Sequence, residues 1–154
     1  MGEYLSTVAW ERRGAAFSDN RYSRAHEWRF DGGAVVAASA SPHVVPVPLS
    51  DPGGVDPEEA LVAALSSCHM LTFLYLAAKR GFVVDAYTDH AVGRMGLNPS
   101  GRRALTHVVL RPRVGFSGPR LPTPAELDVL HHEAHEQCYI ANSVTTAIRV
   151  EPAV

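Results

Sequence analysis

Cysteine is scarce in this sequence: Cys68 and Cys138 are the only two in 154 residues. Two cysteines do not make the disulfide framework of a small secreted fold, and a chain of this length can bury a core without staples. An excess of one charge is also lacking. Fourteen basic and 16 acidic residues leave a formal net charge of -2, which argues against a dedicated nucleic-acid surface. The opening Met1-Gly2-Glu3-Tyr4-Leu5-Ser6 has no basic segment followed by an apolar signal core, so a cytoplasmic protein is expected. There the two thiols are either buried and inert or a working redox pair, and counting does not choose between them. No internal repeat or low-complexity tract is visible. The proline- and glycine-dense stretch 41–55 is flanked by pieces too small to fold separately, so a single domain over 1–154 is expected.

What is present is one long, well-punctuated apolar run. Asp56 can cap a first turn, Pro57 suits the first helical position, Glu59 completes a capping-box pattern, and Gly81 follows a basic last turn. Between these marks nearly every face is apolar, which predicts a core helix surrounded by protein. Ser66, Ser67, His69 and Thr72 interrupt the run and acids begin it, against a membrane span. Three strands are predicted before it, at roughly 3–12, 21–30 and 34–40. In the second, Tyr22, Arg24, His26, Trp28 and Phe30 share one face by the two-residue period. After the helix come one strand over about 82–95 and one over 104–116, the latter with a bulge or edge at Pro112. A second helix starts at Thr123-Pro124-Ala125-Glu126, with Leu127, Leu130, Ala134 and Cys138 on an inward stripe, and a last strand covers 144–150. The order is that of an α+β fold.

Cys68 can be simple core packing. Set against that, both cysteines fall on predicted buried helix faces, as a thiol that forms a sulfenic acid and then a disulfide requires. Cys68 lies about 18 Å from its helix start at ~1.5 Å per residue, too deep for the helix dipole to stabilise a thiolate. Its cation must come from elsewhere, and Arg24 and His26 are the candidates. An arginine on an apolar strand face calls for a carboxylate partner. Glu58 is a candidate, but it sits ~15 Å from Cys68 along the same helix, which favours a site built from two chains. An acid in a first turn also has a purely structural use, through the dipole. His131, His135 and Cys138 lie near one another on one helix side, as metal ligands can. No HExxH arrangement or second ligand motif completes such a site, so a solvated flank with one inward cysteine is the expectation.

Two segments, Asp56-Pro57-Glu58-Glu59-Ala60-Leu61 with Ser66-Ser67-Cys68-His69-Met70, and Ala134-His135-Glu136-Gln137-Cys138-Tyr139-Ile140-Ala141-Asn142-Ser143, resemble the OsmC-like proteins, which include the organic hydroperoxide resistance proteins. The resemblance spans nearly the whole chain. It implies an intertwined homodimer with two long central helices wrapped by antiparallel sheets, acting as a cofactor-free thiol peroxidase on organic hydroperoxides. By the resemblance Cys68 is the peroxidatic cysteine and Cys138 the resolving one. Glu58 holds an arginine that stabilises the thiolate, with Arg24 the first choice and Arg29 the second, and a dithiol returns the enzyme to its reduced state. His69 and the histidine-rich second helix depart from the better-known branches. The rivals are a dimeric binding protein for a small apolar ligand, with inert cysteines, and a metal-binding dimer using His131, His135 and Cys138.

Overall fold

The computed structural model describes residues 2–153. Its elements run β1 (Ser6–Ala9), β2 (His26–Phe30), β3 (Val35–Ala38), α1 (Pro57–Lys79), β4 (Val83–Asp89), β5 (Val92–Leu97), β6 (Arg103–Leu110), β7 (Pro112–Ser117), α2 (Pro124–Gln137), a 3-10 turn (Ala141–Ser143) and β8 (Ala147–Val150). The α+β class expected from the sequence is the one observed. Two compact units, Met1–Ala60 and Leu61–Val154, divide the chain.

In the first unit β1, β2 and β3 form an antiparallel meander, with Val8 opposite Trp28 and Trp28 opposite Val36. The strands are shorter than expected, and the 21–30 stretch is a strand only from His26. His26 and Trp28 do share a face, where the Trp28 indole donates to His26 Nε2 at 3.1 Å. Arg24 lies before the strand, so its predicted place on that face is corrected. Proline and glycine hold the 41–55 stretch out of regular structure. It is tied back by Val55 bridging to Ala38 and by the Asp51 N–H donating to Ser39 Oγ at 2.9 Å.

At the start of α1, Asp56 Oδ1 accepts from the Glu59 N–H at 2.7 Å, while Glu59 Oε2 accepts from the Asp56 N–H at 3.3 Å, a capping box. At its end Gly81 takes a φ of 78°, and the Phe82 and Gly81 N–H groups donate to Ala77 and Ala78, a Schellman closure that only a residue at ease in the left-handed region allows.

Within the second unit α1 buries one stripe, Leu65, His69, Phe73, Leu76 and Ala77. Within the single chain the helix is covered on one side only: Leu71 and Tyr75 are 60% and 62% exposed. Length and composition would let α1 cross a bilayer, with a mean hydropathy of 1.7; in this structure its buried stripe is filled by protein side chains.

Each of the two long strands expected after α1 is broken in two. The chain bends between Asp89 and Val92 and again at Arg111, so β4 pairs with β7 in one antiparallel sheet and β5 with β6 in another. Pro112 begins β7, where its missing N–H costs no ladder bond. The last strand starts at Ala147, later than expected, and runs parallel to β6. The bend also separates two apolar clusters. Phe73, Leu76, Phe82 and Leu130 centre one of them; Leu65, Val108 and Leu110 centre the other.

Candidate functional site

Cys68 stands midway along α1, half-buried, and Cys138 caps the C-terminus of α2, buried. Both are free thiols. Leu127, Leu130, Ala134 and Cys138 form the expected inward stripe: Leu130, Ala134 and Cys138 are 1% exposed or less. The α2 start is fixed by a second capping box, in which Thr123 Oγ1 accepts from the Glu126 N–H at 3.2 Å and Glu126 Oε2 accepts from the Thr123 N–H at 2.9 Å. The 3-10 turn after α2 then folds back on Cys138, and the Ala141 N–H donates to its sulfur at 3.4 Å.

Burial pushes the Cys138 thiol up to about 11. The neighbouring Cys68 side chain acts the same way, while the Ala141 and Ile140 N–H groups oppose them. Gln137 and Tyr139, on either side of Cys138, line the same groove as Cys68, so the two cysteines are near one another, and burial favours Cys138 as S–H. Cys68 opens on a groove of about 780 Å³ lined by Ala64, Leu71, Tyr75, Tyr139 and Ile140 among others, an apolar surface of the kind that accepts an apolar substrate. That arrangement places the half-buried Cys68 at an apolar opening, with the buried Cys138 close to its wall.

The activating groups are placed differently from expectation. The Arg24 guanidinium donates to the Asn20 carbonyl at 3.0 Å, to Asn20 Oδ1 at 2.7 Å and to the Tyr22 carbonyl, and lies over the Tyr22 ring at 3.8 Å. Arg29 pairs with Glu27 at 2.8 Å. Glu58 is half-buried in the first turn of α1, and among the described residues no ion pair joins it to Arg24. Arg24 also borders an apolar hollow of about 450 Å³ in the first unit, where Trp10, Phe17 and Tyr22 pack ring to ring.

Histidine supplies the feature that pattern reading missed. His131 is 3% exposed, not part of a solvated flank, and His69 is 1% exposed. His69 Nε2 and His131 Nδ1 are 3.1 Å apart, with the rings within 5° of parallel. Among the described residues His69 Nδ1 and His131 Nε2 have no hydrogen-bond partner. Burial pushes His69 down to about 4, the charges of His131 and His135 add to this, and Asp89 opposes it. Burial likewise pushes His131 down to about 4. Asp89 itself, at the bend after β4, accepts from Ser66 Oγ and from the Arg111 N–H, both at 2.5 Å. Among the described residues no group of three or more His, Cys, Asp or Glu is arranged to hold a metal ion. The signal that could have found the pair was present: His69 falls at i+4 from Leu65 and i−4 from Phe73, and His131 is next to Leu130.

Residues 50–153 match the family described as OsmC-like protein. A solved OsmC-like protein of unknown function from Vibrio cholerae is 58% identical, with 99% of this chain and 100% of that one covered and a TM-score of 0.97. An organic hydroperoxide resistance protein from Legionella pneumophila is 13% identical over 100% and 98% of the two chains, with a TM-score of 0.72. The organic hydroperoxide resistance protein OhrB of Bacillus subtilis is 15% identical over 99% and 98%, with a TM-score of 0.68. At these last two identities the likeness is one of fold. Among curated proteins none matches the sequence.

Proposed function

The chain belongs to the OsmC-like protein family, and from that premise we propose that it is a cysteine-based peroxidase reducing organic hydroperoxides. The observation that carries this reading is the half-buried Cys68 on an apolar groove that Gln137 and Tyr139, the neighbours of the buried Cys138, also line. In the first step the Cys68 thiolate attacks a peroxide oxygen. The O–O bond breaks, Cys68 becomes a sulfenic acid, and the alkoxide takes a proton and leaves as an alcohol. In the second the Cys138 sulfur attacks the sulfenic sulfur, the S–O bond breaks as the S–S bond forms, and hydroxide leaves with the Cys138 proton as water. A dithiol then reduces the disulfide and is itself oxidised.

The working form is a homodimer. The exposed stripe of α1, with Ala64, Ser67, Leu71 and Tyr75, also walls the Cys68 groove, so a second copy covering it would close the groove into a pocket shared by both chains. Arg24 is assigned to stabilise the thiolate and Glu58 to hold it, which requires Arg24 to exchange the Asn20 and Tyr22 carbonyls for Glu58 on assembly. The reaction belongs in the cytoplasm, where dithiol reductants are available.

Reduced protein mixed with cumene hydroperoxide tests the reading, with thiol loss followed by mass spectrometry. Consumption of peroxide is expected to stop in Cys68→Ser, and a variant that kept the parent rate would sink the mechanism. An unreactive Cys68 at neutral pH, with a co-purifying apolar ligand, would indicate a binding protein instead.

A further inference from the structure

We infer that the His69–His131 pair is a positioning device that sets the register of α1 against α2 and so holds Cys68 against Cys138 for disulfide closure. The inference rests on the two-thiol reading above. Cys68 immediately precedes His69, and Cys138 follows His131 by two helical turns, so each thiol is keyed to one of the two imidazoles. Among the described residues their contact is the one hydrogen bond between the bodies of α1 and α2, and directly after α1 Arg80 donates to Glu133 of α2 at 2.6 Å. His131 also stacks on Phe73, with centroids 4.4 Å apart, one turn beyond His69 on α1. His131 is therefore gripped by two residues four apart, and sliding the helices by one turn breaks the hydrogen bond by putting Phe73 or Leu65 in the place of His69.

Position along α1 adds a second argument. His69 lies between Leu65 of one apolar cluster and Phe73 of the other, at the seam where neither cluster fixes the helix alone. The unpartnered nitrogens give a third. Whichever ring donates, one remaining nitrogen is an N–H and the other a lone pair, both buried without partners. An apolar pair of similar volume would leave neither, so close packing alone does not account for two imidazoles here, whereas a directional bond does.

Diamide oxidises a dithiol to a disulfide without any peroxide, and it isolates the closing step. Formation of the Cys68–Cys138 disulfide in reduced His131→Leu is expected to be about tenfold slower than in the parent, the scale on which small misplacements of reacting groups act. His131→Asn, whose amide can occupy the place of Nδ1, should stay within about threefold. Alkylation of Cys68 by iodoacetamide should be unchanged in both. Closure of His131→Leu at the parent rate, or equal slowing by Leu and Asn, overturns the inference. Should His131→Leu not fold by circular dichroism, His69→Leu against His69→Gln makes the same contrast at the partner ring. With cumene hydroperoxide, His131→Leu should accumulate a dimedone-trappable sulfenic acid. A parent that consumes no cumene hydroperoxide but keeps the diamide contrast would remove the peroxidase reading and leave the positioning role standing.

Discussion

Acid should destabilise this protein earlier than its carboxylates dictate, through the buried histidine pair. Both imidazoles are pushed from 6.5 to about 4 in the folded state. The unfolded chain therefore binds more protons between those values. Stability is full above 6.5 and is lost as pH falls from 6.5 toward 4. Going from about pH 7.5 to about pH 4.5 costs about 2.5 kcal/mol for one such histidine. Part of the His69 shift is the charge of His131 and is counted once, which brings the pair to about 4 kcal/mol. Besides its partner, His69 faces His135, which deepens the loss, and Asp89, which softens it. With an m-value of roughly 2 kcal/mol/M, the urea midpoint should drop by about 2 M over this range. A His69→Gln/His131→Phe variant should lose much less over the same range. Exposed carboxylates, such as Glu126 held low by Thr123 and Arg120, give up their stabilisation as pH falls further, and they do so in both proteins. Parallel stability-against-pH curves for parent and double variant would refute the reasoning.

Removing the α1 cap by Asp56→Ala should cost about 1 kcal/mol, read as a lower thermal midpoint. Gly54→Ala should cost about 2 kcal/mol in urea unfolding, because an added Cβ would sit 2.9 Å from the Ala38 carbonyl carbon, where backbone cannot yield cheaply. Leu71→Asp on the exposed stripe of α1 should convert a dimer to monomers in sedimentation at micromolar concentration. An unchanged mass would locate the association elsewhere.

The helices were legible because their ends are written in local chemistry. Asp56 with Glu59 and Thr123 with Glu126 each specify a start within four residues, and Gly81 a stop. The strands after α1 were legible as alternating runs but not as four pieces. Where a run changes sheet depends on what it packs against, and only Pro112 marked the break. Cys138 was placed inward by its stripe. Arg24 escapes the two-residue period because that period begins only at His26, and the segment before it follows the Arg24 side-chain bonds to Asn20 and the Tyr22 carbonyl. The histidine pair is legible only by halves, in the apolar neighbours of each ring, for a different reason. A polar residue on an apolar stripe gains its meaning from a partner, and His131 lies 62 positions from His69.

Asp89 joins features that are otherwise far apart in the chain: the bend leaving β4, the Arg111 amide at the bend entering β7, and Ser66 of α1 two residues before Cys68. One carboxylate thus binds a main-chain amide on one side and the cysteine helix on the other. The Arg111 N–H becomes a natural spectator of the thiol region. Its exchange with deuterium reports how often the corner of the sheets parts from that carboxylate, in the untouched protein and without a label near either sulfur.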